Sequence, residues 1–276
     1  MEWFESLLLG LVQGLTEFLP VSSSGHLMIA RELLGIELPS DDVFLSFEVM
    51  VHAATVLATI VVFRKQIWDL LKGLFAFKYN DETDYILKIA LSMIPVFIVG
   101  MFFKDAVTSL FTGLSVVGCA LLLTSALLFV SDVLSQRKAK SKAETAGAEA
   151  RNGITWWQAF VVGLAQAVAV IPGLSRSGTT IATGLISGVR RDVMAQFSFL
   201  MVLVPILGES FLELIGGGFV ESAASIGGLS LTLGFIAAFI SGLFACKVMI
   251  ALVKKASLKW FALYCAIAAL LVLFLS

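Results

Sequence analysis

Side chains able to do acid–base or nucleophilic chemistry are concentrated in residues 10–26, GLVQGLTEFLPVSSSGH. Gln13 and Glu17 lie four residues apart and would share one face of a helix. Pro20 then interrupts the helical pattern. Because a carboxylate in so apolar a stretch is costly unless it is paired or hydrated, we interpret Glu17 as functional. The residues after the break add three hydroxyls and an imidazole: Ser22, Ser23, Ser24 and His26.

The serine run offers more hydroxyls than a helix start requires, since a single serine is enough to cap the helix that follows. His26 lies three and four residues after Ser23 and Ser22, so on a helix its ring can share their face. A hydroxyl, an imidazole and a neighbouring carboxylate are the parts of an activated nucleophile and its base. The stretch therefore predicts the reactive half of a site.

Other polar residues allow more than one interpretation. Gln13 could form a hydrogen bond in helix packing, or it could join Glu17 in holding a divalent cation through oxygen ligands. His52 falls within an apolar run, where it either lines a cavity or packs against a neighbour. The three cysteines lie singly in apolar runs, a pattern typical of helix packing.

A second stretch, residues 163–180, has the sequence GLAQAVAVIPGLSRSGTT and resembles the first. It places Arg176 between glycines at 173 and 178. Arginine is permanently charged and presents a fork of donors that fits phosphate oxygens, and a helix starting here would add its positive N-terminus. An ion pair with Glu17 is the structural alternative. We predict an anion cradle with these hydroxyls: Ser175, Ser177, Thr179 and Thr180.

An internal repeat relates the two stretches. A constant offset of 153 residues pairs Gly10 with Gly163, and the prolines follow with a slip of one position. The same offset pairs Gln13 with Gln166, Ser22 with Ser175, Ser24 with Ser177 and Gly25 with Gly178. Each copy is followed by three apolar segments, which indicates that the chain consists of two similar halves.

The composition is that of an integral membrane protein. The chain has 276 residues, 59% of them hydrophobic and 14% charged, and a mean hydropathy of +0.98, whereas soluble domains carry about 25% charged residues. Its apolar runs are too long for a β-barrel. A net charge of -1 argues against a nucleic-acid partner.

We predict an all-α polytopic membrane protein built from two inverted-topology repeats. The segments flanking each polar break are shorter than the roughly 20 residues that cross a bilayer, so each break fits a re-entrant helical hairpin lining a cavity. Three spans follow each hairpin, and an odd number of spans inverts the second copy. Repeat 1 is 1–133, with hairpin 3–35 and spans 46–63, 86–103 and 113–133. Repeat 2 is 154–276, with hairpin 155–189 and spans 194–215, 229–250 and 260–275.

Charge bias predicts the orientation of these segments. Basic residues at 64–65, 190–191 and 254–259, and the basic loop at 134–153, would be cytoplasmic. The acidic linkers near Asp41 and Glu221 would lie outside. Both termini then become extracytoplasmic, and the hairpins enter from opposite faces.

The two polar breaks together suggest chemistry on a phosphate attached to a lipid. One break supplies a carboxylate, hydroxyls and an imidazole, and the other supplies a phosphate clamp. Phosphate hydrolysis needs charge neutralisation, an activated nucleophile and a proton donor. The rival interpretation is a transporter or flippase of an anionic lipid, because inverted repeats with a midplane site are common in transporters. The cluster of hydroxyl, imidazole and carboxylate favours hydrolysis.

The chain resembles the bacterial undecaprenyl-diphosphate phosphatase family of the bacitracin-resistance type. GLTEFLPVSSSGH is similar to the first signature of that family, and PGLSRSGTT is similar to the second. The resemblance implies a multi-pass enzyme of the bacterial inner membrane that converts C55 isoprenyl diphosphate into the monophosphate carrier of cell-wall synthesis. It further implies a site open to the extracytoplasmic side, stimulation by Mg2+ or Ca2+, and bacitracin as a competitor for the substrate. A homodimer is left open.

The resemblance also assigns roles by position. Glu17 is the essential acidic residue, Ser23 the favoured nucleophile and His26 its proton-transfer partner. The diphosphate would be held by Arg176 with Ser22, Ser24, Ser175, Ser177 and Thr180. This chain has Gln13 where the first signature often has a second glutamate, so a metal-binding role there is weakened. Whether Ser23, His26 or water attacks the phosphorus is left open, as is the chain-length preference.

Overall fold

The computed structural model describes residues 1–103, 113–141, 150–255 and 257–275. Within these ranges all regular structure is helical, which confirms the predicted all-helical class. The helices in chain order are α1 (Trp3–Glu17), α2 (Ser23–Leu33), α3 (Asp41–Val62), α4 (Arg64–Phe75), α5 (Asp81–Phe102), α6 (Leu114–Ser141), α7 (Trp156–Val168), α8 (Arg176–Ile186), α9 (Arg191–Gly216), α10 (Gly218–Ile226), α11 (Gly228–Lys255) and α12 (Lys259–Leu275).

Five of the described helices are long and apolar enough to cross a membrane, namely α3, α5, α6, α9 and α11. The first five predicted spans lie on these helices. The sixth, 260–275, corresponds to α12, which has 17 residues and falls just below the usual spanning length of about 20. The chain is therefore an integral membrane protein of the helical type.

The basic loop predicted at 134–153 is partly wrong. Helix α6 continues to Ser141, because the polar segment after the apolar run is rich in Ala, Lys, Gln and Arg, which are strong helix formers. A short 3-10 turn at Arg151–Gly153 precedes α7. Residues 142–149 of the predicted loop lie outside the described residues.

Both predicted helix breaks are present, between α1 and α2 and between α7 and α8. The helix after each break starts with a serine cap: Ser22 Oγ accepts from the Gly25 N–H at 3.2 Å, and Ser175 Oγ accepts from the Gly178 N–H at 3.0 Å. Ser22 adopts φ 72°, a left-handed conformation that is uncommon for residues other than glycine. Such strain persists only where the surroundings fix the backbone, and it is frequent at functional sites.

Small residues let α1 approach α11 closely and so fix the helix that carries Gln13 and Glu17. Gly10 faces Gly234 on α11, and Gly14 faces Ser241. A methyl group at either glycine would collide with the α11 backbone or with this serine. Glycines four residues apart are a common device for tight helix packing in membranes.

Contacts along the helices define their directions. The Met1 carbonyl accepts from Ser230 Oγ near the start of α11, and Gly242 further along α11 meets Phe18 just after α1. Helices α1 and α11 therefore run parallel. Helix α3 follows the same course, because Phe47 meets Gly234 and Thr55 meets Gly242.

A second group of helices starts at the opposite end of the molecule. Ser46 at the start of α3 donates to Glu213 near the end of α9, so these two helices are antiparallel. The start of α9 lies beside the turn before α7, where Val193 meets Gly153. Lys88 on α5 donates to the Arg151 carbonyl of the same turn at 2.9 Å. Helices α5, α7 and α9 thus begin where α3 ends.

At this end Asp132 on α6 ties three segments together. Its side chain is fully buried and accepts from Arg191 Nη2 at 2.5 Å, Ser257 Oγ at 2.6 Å and the Leu258 N–H at 3.2 Å. These donors offset the cost of burying the negative charge of Asp132. Without Arg191 the buried charge would have no cation beside it.

We expect Arg191→Ala to lower the free energy of unfolding by on the order of 3 kcal/mol, because it removes the cation that faces a buried Asp132. Arg190→Ala is the matched control, since Arg190 pairs with Asp192 on the surface and exposed pairs contribute less than about 1 kcal/mol. Thermal unfolding of the two purified variants in detergent measures the difference. Equal loss of stability in both would contradict this role of Asp132.

Candidate active site

The two helix breaks meet inside the molecule. Ser177 Oγ, at the second break, donates to the Leu19 carbonyl at the first break at 3.2 Å. A Cβ on Gly25 would lie 3.3 Å from Gly173 Cα, so the backbones of the two breaks are nearly in contact. Non-helical backbone within a membrane needs partners inside the protein, and here each break supplies partners for the other.

The Glu17 carboxylate lies where the breaks meet. Ser23 Oγ donates to Glu17 Oε2 at 2.5 Å, and Gln13 Nε2 donates to the same oxygen at 2.9 Å. Arg176 Nη2 lies 3.7 Å from the other oxygen, Oε1. His52 Nε2 lies 3.3 Å from Oε2. Two hydrogen bonds and the nearby guanidinium thus face the carboxylate, which makes a buried negative charge tolerable.

One pocket contains eight of the residues predicted from the sequence: Glu17, Ser22, Ser23, Ser24, Ser175, Arg176, Ser177 and Thr180. The structure therefore brings the reactive residues and the anion cradle together across the two halves. It adds four polar residues that the sequence analysis did not place in the site: Thr55, Thr59, Gln166 and Ser198.

Hydrogen bonds fix the hydroxyl side of the pocket. Thr180 Oγ1 lies 2.8 Å from the Arg176 carbonyl, to which it donates, and 2.6 Å from Ser198 Oγ. The Ser175 N–H donates to Thr124 Oγ1 at 3.1 Å. Arg176 is the first residue of α8, so its guanidinium and the N-terminus of that helix add positive charge to the same pocket.

Three predicted residues do not line this pocket: Gln13, which bonds Glu17 from outside the pocket, Thr179 and His26. His26 has other partners. Its Nδ1 lies 2.7 Å from the Ser22 carbonyl, and its Nε2 lies 2.7 Å from the Tyr264 hydroxyl on α12. The two rings stack with centroids 5.6 Å apart. Because a carbonyl only accepts, Nδ1 carries the hydrogen and Nε2 is left to accept from Tyr264. Glu17, not His26, is in contact with the Ser23 hydroxyl.

The sequence left the role of His52 open, and the structure places this residue beside the site. Its Nδ1 lies 2.8 Å from the Glu48 carbonyl, which turns Nε2 toward Glu17. The sequence analysis also missed Gln166 as a site residue, although a signal was available: the repeat pairs it with Gln13. Thr55, Thr59 and Ser198 have no comparable signal, because hydroxyls are ordinary within membrane helices.

We tested whether the residues beside Glu17 could hold a divalent cation. Gln13 directs its amide nitrogen toward Glu17, and its Oε1 is buried with no hydrogen-bond partner. Rotation of the amide, which exchanges Nε2 and Oε1, would bring a second oxygen ligand beside the carboxylate. The described residues contain no group of three or more His, Cys, Asp or Glu side chains arranged to hold a metal. The donors fit a cation that shares its coordination with substrate phosphates, as Mg2+ commonly does.

Comparison with known proteins gives the family of the chain. The model of the bacitracin resistance protein BacA family matches residues 6–271. The chain is 53% identical to an undecaprenyl-diphosphatase of Parabacteroides distasonis over 98% of this chain and 97% of the relative. It is 53% identical to an undecaprenyl-diphosphatase of Bacteroides fragilis over 97% and 96%. A third, from Halothermothrix orenii, is 37% identical over 100% and 99%. The chain therefore belongs to the bacitracin resistance protein BacA family.

Proposed function

We propose that the pocket around Glu17 is the site at which this chain hydrolyses undecaprenyl diphosphate to undecaprenyl phosphate and phosphate. This activity recycles the lipid carrier of cell-wall synthesis and is the basis of bacitracin resistance. One observation carries the assignment to this pocket: a serine hydroxyl donates to a buried carboxylate, and the guanidinium of Arg176 faces that carboxylate from the other half of the chain.

The contacts support Ser23 as the nucleophile and Glu17 as its base. Ser23 Oγ attacks the terminal phosphorus while its proton passes to Glu17, and the bond from phosphorus to the bridging oxygen breaks. Glu17 then gives that proton to the leaving undecaprenyl phosphate. A water molecule attacks the phosphoserine, loses a proton to Glu17, and releases phosphate as the Ser23 oxygen regains a proton. Arg176 and the N-terminus of α8 stabilise the negative charge on the phosphate in both steps.

His26 takes a different role in this proposal from the one implied by the family resemblance. Its contacts with Ser22 and Tyr264 support a role in fixing the strained turn that presents Ser23. Direct proton transfer between His26 and Ser23 would require the ring to leave both partners.

A divalent cation, Mg2+ or Ca2+, is the proposed cofactor. Glu17 and the amide oxygen of Gln13 would hold it, and when bound it would neutralise charge on the diphosphate. Ser22, Ser24, Ser175, Ser177 and Thr180 remain the proposed contacts for the diphosphate oxygens.

We further propose that the fold is an inverted repeat of re-entrant hairpins. Helices α1 and α3 begin at the same end, which supports a path for α1 and α2 that enters and returns on one side. Helices α7 and α9 begin at the opposite end of the molecule. This supports a path for α7 and α8 that enters and returns on that other side. In this proposal the chain lies in the bacterial inner membrane with both termini and the pocket mouth extracytoplasmic. Bacitracin would compete by binding the lipid diphosphate, and a homodimer remains a prediction.

A transporter or flippase without hydrolysis is the second candidate, since inverted repeats with a central anion site are typical of transporters. Transport requires binding and alternating access, and it gives no role to the 2.5 Å contact between the Ser23 hydroxyl and Glu17. That contact favours hydrolysis.

Glu17→Gln tests the assignment of the pocket. The amide keeps the size of the side chain but cannot accept the Ser23 proton, so phosphate release from a C15 isoprenyl diphosphate should fall at least about 100-fold. Glu32→Gln, on the exposed end of α2, is the matched control and should keep normal turnover. No release by the parent protein would reject hydrolysis, whereas an active Glu17→Gln variant would reject only the pocket.

Ser23→Ala tests the nucleophile. We expect kcat to fall by about 100-fold or more, because the covalent step is lost and water must attack directly. The parent protein, quenched in acid during turnover of substrate labelled in the terminal phosphate, should carry labelled phosphoserine, and the variant should not. Normal turnover by Ser23→Ala would show that the hydroxyl only positions the substrate.

Single cysteines test the orientation. In a background with Cys119, Cys246 and Cys265 replaced by alanine, Glu37→Cys and Lys78→Cys place a thiol at exposed positions flanking α3 and α4. An impermeant maleimide should label Glu37→Cys on intact spheroplasts and Lys78→Cys only after permeabilisation, because charge bias places the basic segment inside. Labelling of both from outside would contradict the topology.

A further inference from the structure

Gln166 is a buried polar residue whose amide group forms no hydrogen bond with the described part of the protein. It lies on α7, its side chain is 2% exposed, and it lines the pocket that contains Glu17 and Arg176. Both Nε2 and Oε1 are shielded from solvent and have no hydrogen-bond partner. An amide in this state lowers stability, so its presence calls for a function that depends on it.

The internal repeat explains why this amide lacks a partner. In the first half Gln13 donates to Glu17, one turn further along the helix, at 2.9 Å. The same offset of 153 residues places Val170 at the position that corresponds to Glu17. The valine side chain accepts no hydrogen bond, so the acceptor that Gln13 uses in the first half is missing in the second.

The hydroxyls on the same side of the pocket differ from Gln166 in having partners within the protein. Ser175 Oγ caps α8 through the Gly178 N–H, and Ser177 Oγ donates to the Leu19 carbonyl. Thr180 and Ser198 bond each other at 2.6 Å. Gln166 therefore contributes two N–H donors that have no acceptor among the described residues, in the pocket that Arg176 also lines.

We propose that Gln166 is a binding residue for the diphosphate headgroup and donates its amide N–H groups to phosphate oxygens. Phosphate oxygens are strong acceptors, and a neutral amide can bind them without the desolvation cost of a second buried cation. This inference rests on the proposed function of the pocket. The second half of the chain would then contact the diphosphate through a side chain on α7 as well as through side chains at the start of α8.

Gln166→Met tests the proposal, because methionine keeps the length of the side chain and removes both polar atoms. Hydrogen bonds to charged groups are worth enough for KM to rise about tenfold or more. The Ki of inorganic diphosphate, the bare headgroup, should rise by a similar factor while kcat changes little. The Tm should stay the same or rise, since a buried amide without a partner is removed.

Gln158→Met is the matched control on the same helix. Gln158 accepts from the Thr155 N–H at 2.9 Å and donates to the Ser187 carbonyl at 3.0 Å, so its amide is fully used by the fold. This variant should lose thermal stability and keep the KM and Ki of the parent protein. The two glutamines should thus respond in opposite ways.

Three results would overturn the proposal: an unchanged KM and Ki in Gln166→Met, a loss confined to kcat, or a fall in Tm. A fall in Tm would show that the amide is satisfied within the fold. These outcomes are distinct from failure of the proposed function, which would appear as a parent protein without phosphatase activity or an active Glu17→Gln variant.

Discussion

The structure depends on keeping one negative charge inside the membrane. Glu17 would be costly in an apolar environment. Ser23 and Gln13 donate hydrogen bonds to it, and the donor groups of Arg176 lie 3.7 Å away, with the His52 ring beside them. These donors belong to both halves of the sequence. The carboxylate that we propose as the base is therefore also a contact between the two halves, and the pocket lies at this contact.

The backbone at the two helix breaks is subject to the same constraint, namely that polar groups away from water need partners. Each break exposes carbonyl and N–H groups that cannot be left unpaired away from water. Serine caps at Ser22 and Ser175 satisfy some of them, and the contact from Ser177 to the Leu19 carbonyl joins one break to the other. The glycines of the breaks permit this packing, because a Cβ on Gly25 would crowd Gly173 of the other break and a Cβ on Gly173 would collide with Val117 on α6.

Sequence analysis predicts features that depend on residue types and spacing within one segment of the chain. Glu17, the serines and Arg176 stand out because polar residues are rare in apolar runs, and the helical class follows from composition. Which neighbours those residues meet depends on tertiary packing. The sequence spacing that places His26 beside Ser23 on a helix does not reveal that Tyr264, more than 200 residues later, binds the ring. The contact of His52 with Glu17 depends in the same way on α1 packing beside α3.

The repeat shows how a symmetric scaffold holds an asymmetric site. Ser22 and Ser175 are equivalent by the offset of 153 residues, and both cap a helix. The next residue is the first of its helix in each half, yet it is Ser23 in one and Arg176 in the other. Glu17 likewise corresponds to Val170. The repeat thus gives two matching helix starts that meet at the pocket, and the difference at equivalent positions gives one the hydroxyl that we propose as nucleophile and the other the positive charge that we propose binds phosphate.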